Sequence, residues 1–137
     1  MAILDENLYE YAIVRYVPRV DREEFVNIGL VMMCKRLKWL RGEVLINKVR
    51  LSAFDPCADL DALSLQASIF MRDDVPSKDI PVEERYRWLT AVKSAVLQVS
   101  PSHPGLLVTD ATVPSDKKEK IKKLDREFDR LFQNLII

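Results

Sequence analysis

Residues 9–34 read YEYAIVRYVPRVDREEFVNIGLVMMC, two strand-like runs around a seven-residue loop, 18–24, that is almost entirely charged. In residues 8–17, β-branched and aromatic side chains dominate, and Pro18 ends the run because it has no N–H to donate. Residues 25–34 form the second run, with Val26, Ile28, Leu30, Met32 and Cys34 uniformly apolar at the even positions, so that this face meets a core. A third strand over residues 40–51 follows the short basic turn 36–38. Short connections favour antiparallel neighbours, which predicts a three-stranded meander.

Helical signals follow. Asp55-Pro56 has the pattern of an N-cap and a first-turn proline, and Leu60, Leu63, Ala67 and Phe70 then recur as one stripe. Residues 76–81 read as a linker, and Pro81 opens a second helix with Glu83 and Glu84 in its first turn. The buried side expected for that helix is Tyr86, Leu89, Val92, the Lys93 stem and Val96. Pro101, Pro104 and Gly105 exclude a helix over 100–113, where Leu106-Leu107-Val108 suits a short fourth strand. A last helix spans about 116–135, with Asp116 and Glu119 at capping-box spacing. The expected fold is therefore α+β in a single domain, 1–137: a small antiparallel sheet, the meander plus a short fourth strand, packed by three helices.

Composition narrows the function. The chain has 137 residues, enough for one sizeable core, with 48% hydrophobic and 31% charged residues. Lysine and arginine total 21, as do aspartate and glutamate, so bulk charge does not point to nucleic acid. The lysines of the last helix are scattered among Glu119, Asp125, Glu127 and Asp129 rather than aligned in one ridge, the pattern of a solvated face. Two cysteines and one histidine cannot supply a four-ligand structural zinc site, and Cys34 reads as a buried thiol. No metal or cofactor is expected. The acidic start and the lack of a membrane-length apolar run give a cytoplasmic reading with no membrane partner. Only three glycines occur, so no phosphate-cradling loop is present, and His103 in SPSHPG lacks a recognisable nucleophile and reads as a turn residue. The apolar end, 135–137, suits either internal packing or a contact between copies in a homo-oligomer.

Strand parity locates the one candidate site. If Val17 faces Phe25, then Arg15 faces Asn27 and Ile13 faces Gly29, with Arg15 and Asn27 opposite the apolar face and Gly29 leaving space beside them. Arg15, Arg19, Arg22, Glu24 and Asn27 are the binding candidates. Several guanidinium groups beside an asparagine suit an anion, since each offers a planar fork of donors. The same residues equally suit a structural turn in which Arg15 is tied to a carboxylate and Asn27 fastens the chain.

Arg15, Tyr16, Pro18, Glu24, Phe25, Asn27, Ile28 and Gly29 reproduce the pattern R-Y-x-P…E-F-x-N-[IV]-G. The pattern resembles the N-terminal signature of a bacterial family known only as domain of unknown function three thousand and thirty-seven. The likeness extends to the S-P-x-x-P-G-like segment 100–105 and to Asp129–Phe132, read as D-x-L-F. Relatives with a basic residue in the middle segment differ here, where His103-Pro104 stands instead. The resemblance implies a small bacterial protein with an accessory or binding role, its partner a kinase-like protein of the Hip persistence type. The expected function is a non-enzymatic interaction module, with an anion-binding domain as the alternative and an enzyme as the lowest-ranked reading.

Overall fold

The computed structural model describes residues 4–70, 79–91, 94–110 and 116–137. Its elements in chain order are β1 (Leu4–Tyr16), β2 (Val26–Cys34), β3 (Trp39–Val44), α1 (Lys48–Phe54), α2 (Leu60–Phe70), α3 (Val82–Thr90), β4 (Leu97–Val99), β5 (His103–Asp110) and α4 (Lys117–Leu135). The class is α+β: one five-stranded antiparallel sheet, ordered β3-β2-β1 with β4 and β5 both on the far edge of β1. β4 pairs the C-terminal end of β1 and β5 the N-terminal part, so together they form one interrupted strand along β1.

Both faces of the sheet are covered. One core joins Ala12, Val14, Tyr16, Val26, Ile28, Val31 and Met33 to Leu51 of α1, Leu63 and Ala67 of α2, and Val82, Tyr86 and Leu89 of α3. The other joins Tyr9, Leu30, Met32, Cys34 and Trp39 to Leu124, Phe128 and Leu131 of α4. The expectation of a single apolar face on β2 is therefore corrected. The register is irregular between Val14 and Arg15: Val14 pairs Gly29 while Arg15 pairs Asn27, which leaves Ile28 as an extra residue. A bulge of one residue exchanges the faces. Val26 and Ile28 thus point to the α1–α3 side, whereas Leu30, Met32 and Cys34 point to α4. Ile13 faces Leu30 instead of Gly29.

Gly29 is also relocated. A Cβ there would stand 2.8 Å from both the Glu43 carbonyl oxygen and Val44 Cγ2, so the space is filled by β3 and adjoins Val14, away from Arg15. The glycine lets β3 approach closely.

Three further boundaries differ from expectation. The third strand ends at Val44, and α1 follows, capped by the Asn47 side chain, which accepts from the Arg50 N–H at 3.1 Å. Asp55 closes α1 rather than opening α2: its N–H reaches the Leu51 carbonyl at 2.8 Å. The cap of α2 is Asp59, which accepts from the Ala62 N–H at 3.0 Å. α3 stops at Thr90, so Val96 lies outside it, and Val92 and Lys93, expected on that helix, fall outside the described residues, as do residues 76–78 of the linker.

α4 follows the sequence reading. The Asp116 side chain accepts from the Glu119 N–H at 2.9 Å, and the Leu124–Phe128–Leu131 stripe is buried. Arg41 of β3 ties the helix to the sheet: its guanidinium lies 4.2 Å from the Phe128 ring centre and meets Glu43, Asp125 and Asp129 at 2.9, 3.2 and 3.1 Å. Burial works against its charge, but the three carboxylates outweigh that and hold its pKa above the ordinary value.

Candidate functional site

The β1–β2 connection begins at Pro18, makes a single 3-10 turn over Val20–Arg22, and leaves through Glu23 in the left-handed region at φ 54°. Such a conformation is uncommon for a side chain larger than glycine. Arg19 pairs with Asp21 at 2.7 Å and Arg22 with Glu24 at 3.0 Å, all on exposed side chains. Exposed pairs of this kind contribute on the order of 0–1 kcal/mol, so both arginines exchange partners easily.

The five sequence candidates divide between the two faces of the sheet. Arg19, Arg22 and Glu24 line a cleft of about 200 Å³ with Pro18, Phe54, Asp55 and Pro56. Tyr16 braces the floor of that side by donating its hydroxyl to Asp55 at 2.7 Å. Burial, with the bond to Asp55, pushes the Tyr16 hydroxyl up to about 12.

Arg15 and Asn27 are cross-strand partners on the α4 side. The Arg15 guanidinium lies 4.2 Å from the centre of the Phe25 ring. Among the described residues no carboxylate pairs with it, and its Nε is buried without a hydrogen-bond partner. Phe25 keeps 45% of its surface exposed, and Val20 at the turn keeps 54%. Asn27 does something different. Its Nδ2 donates to the Leu135 carbonyl at 3.3 Å, while Arg50 donates to the Ile136 carbonyl at 2.6 Å. The last carbonyls of a helix lack partners within it and form the negative end of its dipole, so an amide and a guanidinium are suitable donors there. Ile136 is buried on the α4 core, and Ile137 remains exposed.

A larger cavity, about 540 Å³, opens on the α3 side of the sheet at the other end of β1. Its walls include Leu8, Glu10, Met33, Lys35, Glu83, Tyr86, Arg87, Thr90 and Ser102. Tyr86 and Ser102 share a hydrogen bond of 2.8 Å, and burial pushes the Tyr86 hydroxyl up to about 12. Sequence reading passed over this group. The available signals were Glu10 between two tyrosines of a strand and the helical spacing of Glu83, Tyr86, Arg87 and Thr90.

The SPSHPG segment is structural at its first residue. Ser100 Oγ accepts from the Ile13 N–H at 2.9 Å while the Ser100 N–H reaches the Ile13 carbonyl at 2.8 Å. The side chain thereby replaces a ladder bond at the interruption between β4 and β5. His103, read as a turn residue, is the first residue of β5 and faces Tyr11, with ring centres 5.3 Å apart.

Among the described residues no helix is long and apolar enough to cross a membrane. A family model described as Protein of unknown function (DUF3037) matches residues 11–136, nearly the whole chain. No curated protein and no solved structure matches it. The chain belongs to the DUF3037 family.

Proposed function

We propose that this DUF3037 protein is a non-enzymatic interaction module that docks a partner protein through the tip of its first hairpin. The observation that supports this most is the Arg15–Phe25 stack, a cation without a carboxylate partner among the described residues lying on a half-exposed aromatic ring. Arginine and aromatic residues dominate the energetics of protein interfaces, and Val20 adds exposed apolar surface in the same β1–β2 connection. The partner that fits carries a carboxylate next to an apolar group, to pair with Arg15 over Phe25. Family resemblance nominates a kinase-like protein of the Hip type, which a binding titration with the purified proteins tests. A complex that Arg15→Ala or Phe25→Ala weakens tenfold or more, about 1.4 kcal/mol, supports the reading. No complex, or one indifferent to both substitutions, rejects it.

One observation favours a second reading, an anion site. Arg19 and Arg22 both line the 200 Å³ cleft and, among the described residues, pair only with exposed carboxylates of their own loop. Phosphate or citrate would then raise the melting temperature of the native protein but not of an Arg19→Ala/Arg22→Ala variant. Arg15 and Asn27 lie outside that cleft and take no part in this reading.

A further inference from the structure

The 540 Å³ cavity between α3 and the sheet is within the size range of small-molecule sites, and most of its lining comes from three regular elements, β1, β2 and α3, with Lys35 and Ser102 added from connections. α3 presents Glu83, Tyr86, Arg87 and Thr90, which the i, i+3, i+4, i+7 spacing places in one stripe. The strands present Glu10 and Met33, which are direct cross-strand partners, with Leu8 and Lys35 beside them. Met33 is buried and Leu8 is 69% exposed, an apolar pair beside the charged Glu10 and Lys35.

The charges are unevenly satisfied. Lys35 and Glu83 face each other across the cavity at 3.8 Å. Glu10 and Arg87 have no opposite charge in contact among the described residues. Glu10 instead ends a chain of hydroxyls: Tyr86, itself buried, shares a bond with Ser102, whose hydroxyl donates to Glu10 at 3.5 Å. One carboxylate that accepts from a hydroxyl and one guanidinium thus lie in one cavity with the apolar side chains of Leu8 and Met33.

We propose that this cavity binds a small zwitterion, a free amino acid or dipeptide, with its ammonium on Glu10, its carboxylate on Arg87 and its apolar side chain against Met33 and Leu8. Carboxylate recognition by guanidinium is bidentate and selective, and the two charges of the ligand match the two unpaired charges of the site.

Thermal-shift and calorimetric titrations of the whole chain with the twenty amino acids and with leucyl-leucine test this. At least one zwitterion should give a saturable rise in melting temperature. Its N-acetyl and C-amide derivatives should each bind at least tenfold more weakly. Glu10→Gln should abolish the preference for a free amine and Arg87→Gln the preference for a free carboxylate. Both residues are exposed, so each variant should melt near the native temperature without ligand. The proposal is overturned if no zwitterion binds, if blocking either end makes no difference, or if binding persists unchanged in both variants.

Discussion

Gly105 admits no side chain, because a Cβ built on it would stand inside the ring of Tyr9, its partner across β1 and β5. Tyr9 is buried on the α4 core, so the ring cannot simply swing away. Gly105→Ala should therefore cost about 1–3 kcal/mol in urea unfolding, the usual range for overpacking. In a Tyr9→Ala background the same substitution should cost much less, a coupling that a double-mutant cycle reads directly. Asn27 acts at this scale too. Asn27→Ala removes the donor from the Leu135 carbonyl and should lower stability by about 1 kcal/mol. Tyr16 and Tyr86 set the alkaline limit. Burial pushes both hydroxyls up from the ordinary value of 10.0 to about 12, so the folded state retains protons that the unfolded state loses. Stability is then fully present below pH 10 and falls between pH 10 and 12, by at most about 1.4 kcal/mol per pH unit for each group. Denaturant titrations of Tyr16→Phe and Tyr86→Phe should each show a shallower decline.

At the scale of elements, one bulge and one interruption of the sheet decide what the sequence revealed. The strand order β3-β2-β1 was legible because β-branched and apolar runs lie between short polar connections, and α4 because Asp116, Glu119 and the Leu124–Phe128–Leu131 stripe agree. The extra residue at Ile28 was not legible. Both faces of β2 are apolar, so alternation gives no sign of where the chain changes sides. α1 was read as strand because Leu45 and Ile46 continue the apolar run; only Asn47, the cap, marked the change. β4, three residues long, went unassigned because the helical pattern expected before it ran to Val96. The interruption between β4 and β5 depends on Ser100, whose hydroxyl oxygen accepts from the Ile13 N–H in place of a ladder carbonyl. Ser100→Ala should leave the Ile13 N–H without an acceptor and cost about 1–3 kcal/mol. Faster hydrogen exchange of the Ile13 amide in that variant would locate the loss, and unchanged protection would argue against this role.

For the whole molecule, covering both faces of the sheet separates what the sequence grouped together. Arg15 and Asn27 do face each other across β1 and β2, as strand parity predicts, yet the two residues serve different neighbours. Asn27 holds the end of α4, while Arg15 lies on Phe25 at the rim. Arg19, Arg22 and Glu24 belong to the opposite side, with Phe54 and Asp55. Sequence spacing carries strand faces but not which helix covers each face, and that assignment turns one apparent cluster into a capping residue, a stacked cation and a salt-bridged loop. The central claim, docking through the hairpin tip, is tested most directly by titrating the Hip-type kinase-like protein into native, Arg15→Ala, Phe25→Ala and Asn27→Ala proteins at matched salt. The predicted result is a stoichiometric complex weakened at least tenfold by the first two substitutions, with Asn27→Ala lowering stability but leaving affinity within about twofold of native, well under the 1.4 kcal/mol of a tenfold change. Equal affinity across all four proteins, or no binding to any, would contradict it.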